Sequence, residues 1–316
     1  MAFRISGSFG RSTLALFFGG VLLAACRLAG AEELVIDAEA IRIDFTKKLA
    51  ELAASTPIPD IKNLPRLPKG TFALPLSAGA IQSTPENIYS DCRPAVVLLA
   101  TIKKCPDHPD CWHGHMKGTG WIASPDGLIV TCNHVIEDEG NQTPDSKMGV
   151  MNTHGKVYPV VEICASDKLD DIAVVKVDTH GERLPFLRLA KDVKPGDAVS
   201  IISHPRTRCW FYSQGVVAGF SSLEHGEGKR TQMEVSAEFG TGSSGAPVLN
   251  RSGAVVGIAQ KKSRISEVAE WRFSLFGYEL WSAEREDLES VVTFYGCAPL
   301  SALRNFLPEN QGGFPR

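Results

Sequence analysis

From about residue 84 onward, apolar residues come in short runs and not at helical spacing. The runs at 95–100, 120–123, 128–131, 172–177, 198–202, 215–218 and 254–260 are rich in Val, Ile and Ala. Turn-forming groups punctuate them, among them Pro125-Asp126-Gly127, Lys194-Pro195-Gly196-Asp197 and Arg251-Ser252-Gly253. β-Branched residues suit a pleated, half-buried surface, so these runs predict strands. Few helical stretches interrupt them, which favours an all-β sandwich or barrel over an alternating α/β sheet.

The N-terminal part has a different texture. Asp37 is placed to cap a helix whose apolar side is Ile41, Phe45, Leu49 and Leu52. Pro57, Pro59, Pro65, Pro68 and Pro75 then break any regular element, so residues 32–82 are expected to be a helix and a Pro-rich linker, docked as a tether or acting as a propeptide. Thr84-Pro85-Glu86 predicts a helix start, with a hydroxyl cap and Pro in the first turn. Before all this, Arg4 and Arg11 precede an apolar stretch at 14–25, the pattern of an export signal over residues 1–31. Two cleavage patterns compete: Ala29-Gly30-Ala31 ahead of Glu32-Glu33, which is favoured, and the lipobox-like Leu23-Ala24-Ala25-Cys26. A membrane partner is expected only if Cys26 is lipidated, and the product is periplasmic or secreted.

Composition narrows the partners. The 316 residues carry 33 Lys and Arg against 36 Asp and Glu, a net charge of −3, so no nucleic-acid partner is implied. Export changes the meaning of the cysteines, because an oxidising compartment favours disulfides. Besides Cys26 there are Cys92, Cys105, Cys111, Cys132, Cys164, Cys209 and Cys297; an odd number leaves one unpaired, and Cys105 with Cys111 is the best local pair.

The polar residues at the ends of the runs carry the candidate chemistry. A hydroxyl becomes a nucleophile when a base takes its proton, and the base works best when a carboxylate fixes its tautomer. His134 follows "LIVTCNHV", Asp171 opens "DDIAVVKV", and Ser244 lies in "EFGTGSSGAPVLN". A glycine-rich turn can also aim successive amides at an oxyanion, and the expected donors are Gly242 and Ser244.

In the order His, Asp, Ser, the motifs "TCNHV", "DDIAVV" and "GSSGAPV" resemble those of the trypsin-like serine proteases, and among them the bacterial HtrA-type branch. The likeness extends over residues 83–310 through "GTGWIASPDGLIVTCNHVI", "VKPGDAVSIISHP", "SQGVVAGF" and "YGCAPLSALRNFL". It implies an all-β double β-barrel with a C-terminal helix: a first barrel at about 95–185, a second at about 195–300, and an insertion at about 261–292. It further implies a serine endopeptidase acting on protein or peptide substrates through His134, Asp171 and Ser244, with no cofactor and no metal. Ala246 and Ser243 depart from the usual Gly-Asp/Asn-Ser-Gly-Gly pattern, Asp170 competes with Asp171 for the acid's place, and too few residues follow Leu307 for a PDZ domain. The alternative is an inactive protease-like module that binds a peptide or protein.

Specificity is less determined. The resemblance assigns Glu238, Phe239 and Gln260 to the substrate pocket; Glu238 favours a basic side chain, whereas Lys261 and Lys262 favour an acidic one. By family position the aromatic insertion, with Trp271, Phe273, Phe276, Tyr278 and Trp281, borders that pocket. Finally, "CPDHPDCWHGH" gathers Cys105, Asp107, His108, Asp110, Cys111, His113 and His115 between the first two strands. A disulfide-closed hairpin is the simpler account, and a zinc-type site is its rival.

Overall fold

The computed structural model describes residues 35–68, 79–108, 111–137, 145–206, 208–225, 228–267, 270–275, 278–284 and 290–306; for 225 and 264–292 only the backbone is described. The export signal, Cys26, Pro75 and the aromatic side chains of the insertion lie outside these.

Twelve strands close into two six-stranded barrels. The first comprises β1 (Val96–Lys104), β2 (Trp112–Ile122), β3 (Leu128–Thr131), β4 (Ser146–Met151), β5 (Val157–Asp167) and β6 (Ile172–Val177), in the order β1-β2-β3-β6-β5-β4. Pairing of β1 with both β2 and β4 closes it. The second contains β7 (Ala198–Ser203), β8 (Phe211–His225), β9 (Gly228–Val235), β10 (Pro247–Leu249), β11 (Val255–Glu267) and β14 (Ser290–Pro299), in the order β10-β11-β14-β9-β8-β7. The insertion extends β11 and β14 and adds a separate hairpin of β12 (Glu270–Leu275) and β13 (Tyr278–Glu284). Closure leaves neither barrel an open edge, and each barrel packs Val, Ile and Leu inside. Val96, Val97 and Leu99 of β1, with Trp121 and Ile129, are fully buried in the first core; Ile201, Val248 and Val256 are so in the second.

The α-helices among the described residues lie outside the two barrel sheets. Asp37 caps α1 (Ala38–Ser55) as its sequence predicts, accepting from the amides of Glu39 and Ala40. The helix buries Phe45 and Leu49 against Ala100, Ile102, Met151 and Val157 of the first barrel. It comes so close to β2 that a Cβ at Gly114 would stand 1.9 Å from Thr46 Oγ1. The expected helix start at Thr84 is different: residues after it form a turn closed by Asn87 N–H donating to Thr84 O at 3.0 Å, and α2 begins at Ile88 without a side-chain cap. The remaining helices, α3 (Asn133–Ile136) and α4 (Leu300–Arg304), are single turns at the end of β3 and after β14.

Candidate active site

β3 delivers His134 to the surface. After Thr131 the strand cannot continue, because Asn133–Ile136 turn into α3 and lift the imidazole out of the barrel. The residue that meets it stands at the start of β6. Asp171 has φ +53°, a left-handed conformation that Asp tolerates better than most residues, and this turns its carboxylate toward α3. Its Oδ1 accepts from the His134 backbone N–H at 2.9 Å and its Oδ2 meets Nδ1 at 2.8 Å. The two contacts fix the ring's position and place its proton on Nδ1, leaving Nε2 as an acceptor. The carboxylate is sheltered, with 18% of its side chain exposed, while the imidazole is 52% exposed and open to an incoming group. Asp170 does not reach His134; burial and neighbouring Asp167 push its carboxyl up instead.

The glycine-rich stretch is a tight turn leading into β10. Gly242 has φ +96° and Gly245 φ +91°. Any Cβ there would lie 2.5 Å from the His204 carbonyl oxygen and 2.0 Å from that of Thr119, respectively, so both positions require glycine. Ser243 is fully buried; its amide donates to Gly240 O and its hydroxyl to Ser203 Oγ, which ties down the turn at the place where the resemblance leads one to expect Asp or Asn. The flanking amides of Gly242 and Ser244 have no acceptor among the described residues. Ser244 Oγ donates to the Gln260 backbone carbonyl at 3.1 Å.

The residues tying this turn to the first barrel through β2 were not singled out in the sequence. Thr119, on β2 and fully buried, donates its amide to Ser244 O at 2.8 Å and its hydroxyl to Gly242 O at 2.9 Å. The same hydroxyl accepts from His204 N–H at 3.0 Å. Thr119 thus stitches the first barrel to the turn of the second. His204 is buried edge-on against Trp210 with its Nδ1 accepting from Trp210 N–H, and burial pulls its pKa down to about 3, helped by Arg93. The Val97 carbonyl opposes this shift from beyond hydrogen-bond geometry, since Nε2 has no bonded partner. The ring is therefore a neutral packing group. A signal for Thr119 existed in "GTGWI", but only the fold reveals what it touches.

Gln260 links the two halves more directly. Its backbone carbonyl takes the Ser244 hydroxyl, while its side-chain amide donates to Asp170 O at 2.5 Å and Asp171 O at 3.2 Å. Of the other expected pocket residues, Glu238 is exposed and Phe239 is buried in the second core against Tyr295, 5.2 Å between rings. Phe239 is a packing residue, because its ring faces the barrel interior. A cavity of about 520 Å³ opens beside His134, lined by Asn133, Lys168, Asp171, Arg230, Gln260 and Lys261. The Arg230 guanidinium makes only long contacts, at 3.4–3.5 Å, to Leu169 O and the side chains of Gln260 and Gln232. The larger groove between α1 and β2 touches none of these residues.

Among the described residues, two side-chain sets bring potential metal-ligand atoms together. Cys132, His134 and Asp171 converge within 4.8 Å, but Cys132 is fully buried, bonded to Ala259 O and raised far above the usual thiol range by burial, so it stays protonated. Cys105, Cys111 and His113 converge likewise on the β1–β2 hairpin. The seven described cysteines, including Cys105 and Cys111, are free thiols, in contrast to the expected disulfide.

The trypsin-like peptidase domain family matches residues 118–258. A probable periplasmic serine endoprotease of DegP-like type from Chlamydia pneumoniae is 34% identical over 45% of this chain and 28% of its own length. One from Chlamydia trachomatis is 28% identical over 70% of this chain and 44% of its own length, so the chain spans less than half of these curated relatives. Among solved structures, an HtrA-type protease AlgW with decapeptide superposes with a TM-score of 0.51 at 20% identity, covering 69% of this chain and 65% of that one, a likeness of fold. Together with the paired barrels, these matches make the chain similar, over its barrel-forming part, to the trypsin-like peptidase domain and to relatives named as DegP-like serine endoproteases.

Proposed function

We propose that the chain is an exported serine endopeptidase, cleaving peptide bonds through an acyl-enzyme. The observation that carries this is the His134–Asp171 clasp on the first barrel, to which Thr119 ties the turn whose Gly242 and Ser244 amides have no acceptor among the described residues. Ser244 Oγ, released from the Gln260 carbonyl by a rotamer change, attacks the substrate carbonyl as His134 Nε2 takes its proton. Asp171 stabilises the imidazolium, and the Gly242 and Ser244 amides receive the oxyanion. His134 then protonates the leaving amine, and a water activated by the same imidazole hydrolyses the ester. These steps need no cofactor. Export is supported by the leader-like residues 1–31 and by relatives named as periplasmic; the packing of Phe45, Leu49, Ile58 and Ile61 on the first barrel supports reading the segment before residue 83 as an arm and 83–310 as the peptidase domain.

The same reading extends to substrate choice. Lys168, Arg230 and Lys261 outnumber the carboxylates at the cavity beside His134, where Asp171 is engaged by His134 and Asp170 acts on Arg230 only through space. That charge favours an acidic side chain close to the scissile bond, against the opposite preference that exposed Glu238 suggests.

A fluorophosphonate probe tests the mechanism. The folded chain should label at Ser244, and Ser244→Ala should abolish labelling. A folded wild-type chain that takes no probe would instead be a peptide-binding module of protease fold.

A further inference from the structure

The β1–β2 hairpin carries a second chemical cluster, away from His134. Lys103 pairs with His113 and Lys104 with Trp112, so one step further Cys105 stands opposite Cys111. The backbone agrees: Cys105 N–H donates to Cys111 O at 2.9 Å, and Cys111 N–H to His108 O at 3.0 Å. Directly opposed residues share a sheet face, as do residues two apart on one strand. Cys105, Cys111 and His113 therefore project from one side of the hairpin, while Trp112 and Gly114 face α1 on the other. The three ligand atoms lie within 4.8 Å of one another. His113 is exposed and both cysteines are half-buried, so the face is reachable from solvent.

We infer that this hairpin face is a metal site for a zinc-type divalent cation, held by the Cys105 and Cys111 thiolates and the His113 imidazole. Two sulfurs and one nitrogen are the donor set that such cations select over hard, oxygen-seeking ones. Sulfurs on one zinc stand roughly 3.8 Å apart, from Zn–S bonds of about 2.3 Å in a tetrahedron, a separation within the spread of the cluster's ligand atoms. Binding releases the two thiol protons, and a water or a side chain of the exposed loop, such as Asp107 or His108, completes the fourth position. The ion would clip the open end of β1 to β2 and so do the work of a disulfide without an oxidant.

The inference is independent of the peptidase reading, and its test does not use activity. The full chain, exported with its own leader and purified without reductant or chelator, is analysed for metal and by non-reducing mass spectrometry. One equivalent of zinc with free Cys105 and Cys111 is expected; a Cys105–Cys111 disulfide, or metal-free thiols that take up no added zinc, overturns the site. Cobalt(II) exchanged into the protein should give a thiolate-to-metal charge-transfer band. His113→Ala, a change at an exposed position that spares the core, should weaken cobalt binding at least tenfold, Cys111→Ser should cut the band by about half or more, and Cys164→Ala should leave both unchanged. Wild-type binding in His113→Ala or Cys111→Ser overturns the assignment.

Discussion

Thr119 offers the sharpest test of how the nucleophile's turn is held. Thr119→Val keeps the shape of the side chain and deletes only Oγ1, which donates to Gly242 O at 2.9 Å and accepts from His204 N–H at 3.0 Å. Each hydrogen bond is worth a net ~0.5–1.5 kcal/mol, and leaving a buried partner unmet costs up to ~3 kcal/mol. Because Thr119 and His204 are 0% and 2% exposed, water cannot replace the lost partner. The substitution should therefore cost about 2–5 kcal/mol, which corresponds to a fall in Tm of roughly 5–15 °C for a chain of this size. The turn that it loosens also carries the two amides proposed for the oxyanion. Displacing one such donor costs about a hundredfold or more in kcat, so kcat should fall by at least about tenfold with little change in KM. Calorimetry and peptidase kinetics on the folded variant read both. A Tm within about 2 °C of wild type, with kcat unchanged, would refute the role of this hydroxyl.

Gly245→Ala should fold poorly or not at all, because its methyl would sit 2.0 Å from Thr119 O at a φ of +91°; soluble yield and circular dichroism check this. Phe45→Ala should cost about 3–5 kcal/mol and release α1 to limited proteolysis before the barrels unfold. His204, with a folded pKa of about 3 against the ordinary 6.5, is neutral in the fold and protonates on unfolding. Its contribution is complete above pH 6.5 and lost as pH falls toward 3, at up to about 1.4 kcal/mol per pH unit; urea midpoints from pH 7 to 4 should drop less steeply in His204→Gln. Lys261→Glu should reduce kcat/KM selectively for peptides with an acidic residue beside the cleaved bond, and equal loss on neutral peptides would argue against a charge role.

Much of the strand pattern was readable because buried strands announce themselves. β3 and β6 coincide with the apolar runs at 128–131 and 172–177, since both are buried in the barrel core. β4, β5 and β9 were missed because polar residues such as Lys147, Glu162, Lys229 and Arg230 interrupt their apolar positions. The helix start at Thr84 went astray for a local reason: a hydroxyl and a following proline suit a tight turn as well as a helix.

The sequence by itself determined the candidate chemistry. His134, Asp171 and Ser244 each stand at the edge of an apolar run, and their motifs in the order His, Asp, Ser resemble those of the trypsin-like serine proteases. It also determined α1, whose cap and apolar face are local properties. Only the tertiary structure decided which acid clasps the histidine, since Asp170 and Asp171 are equivalent until a left-handed φ turns one toward α3. It likewise decided that Phe239 packs inward, that Thr119 and Gln260 bind the two halves of the site together, and that Cys105, Cys111 and His113 share one face. Those relations join residues far apart in the chain, or depend on strand register, and no local pattern of side chains encodes either.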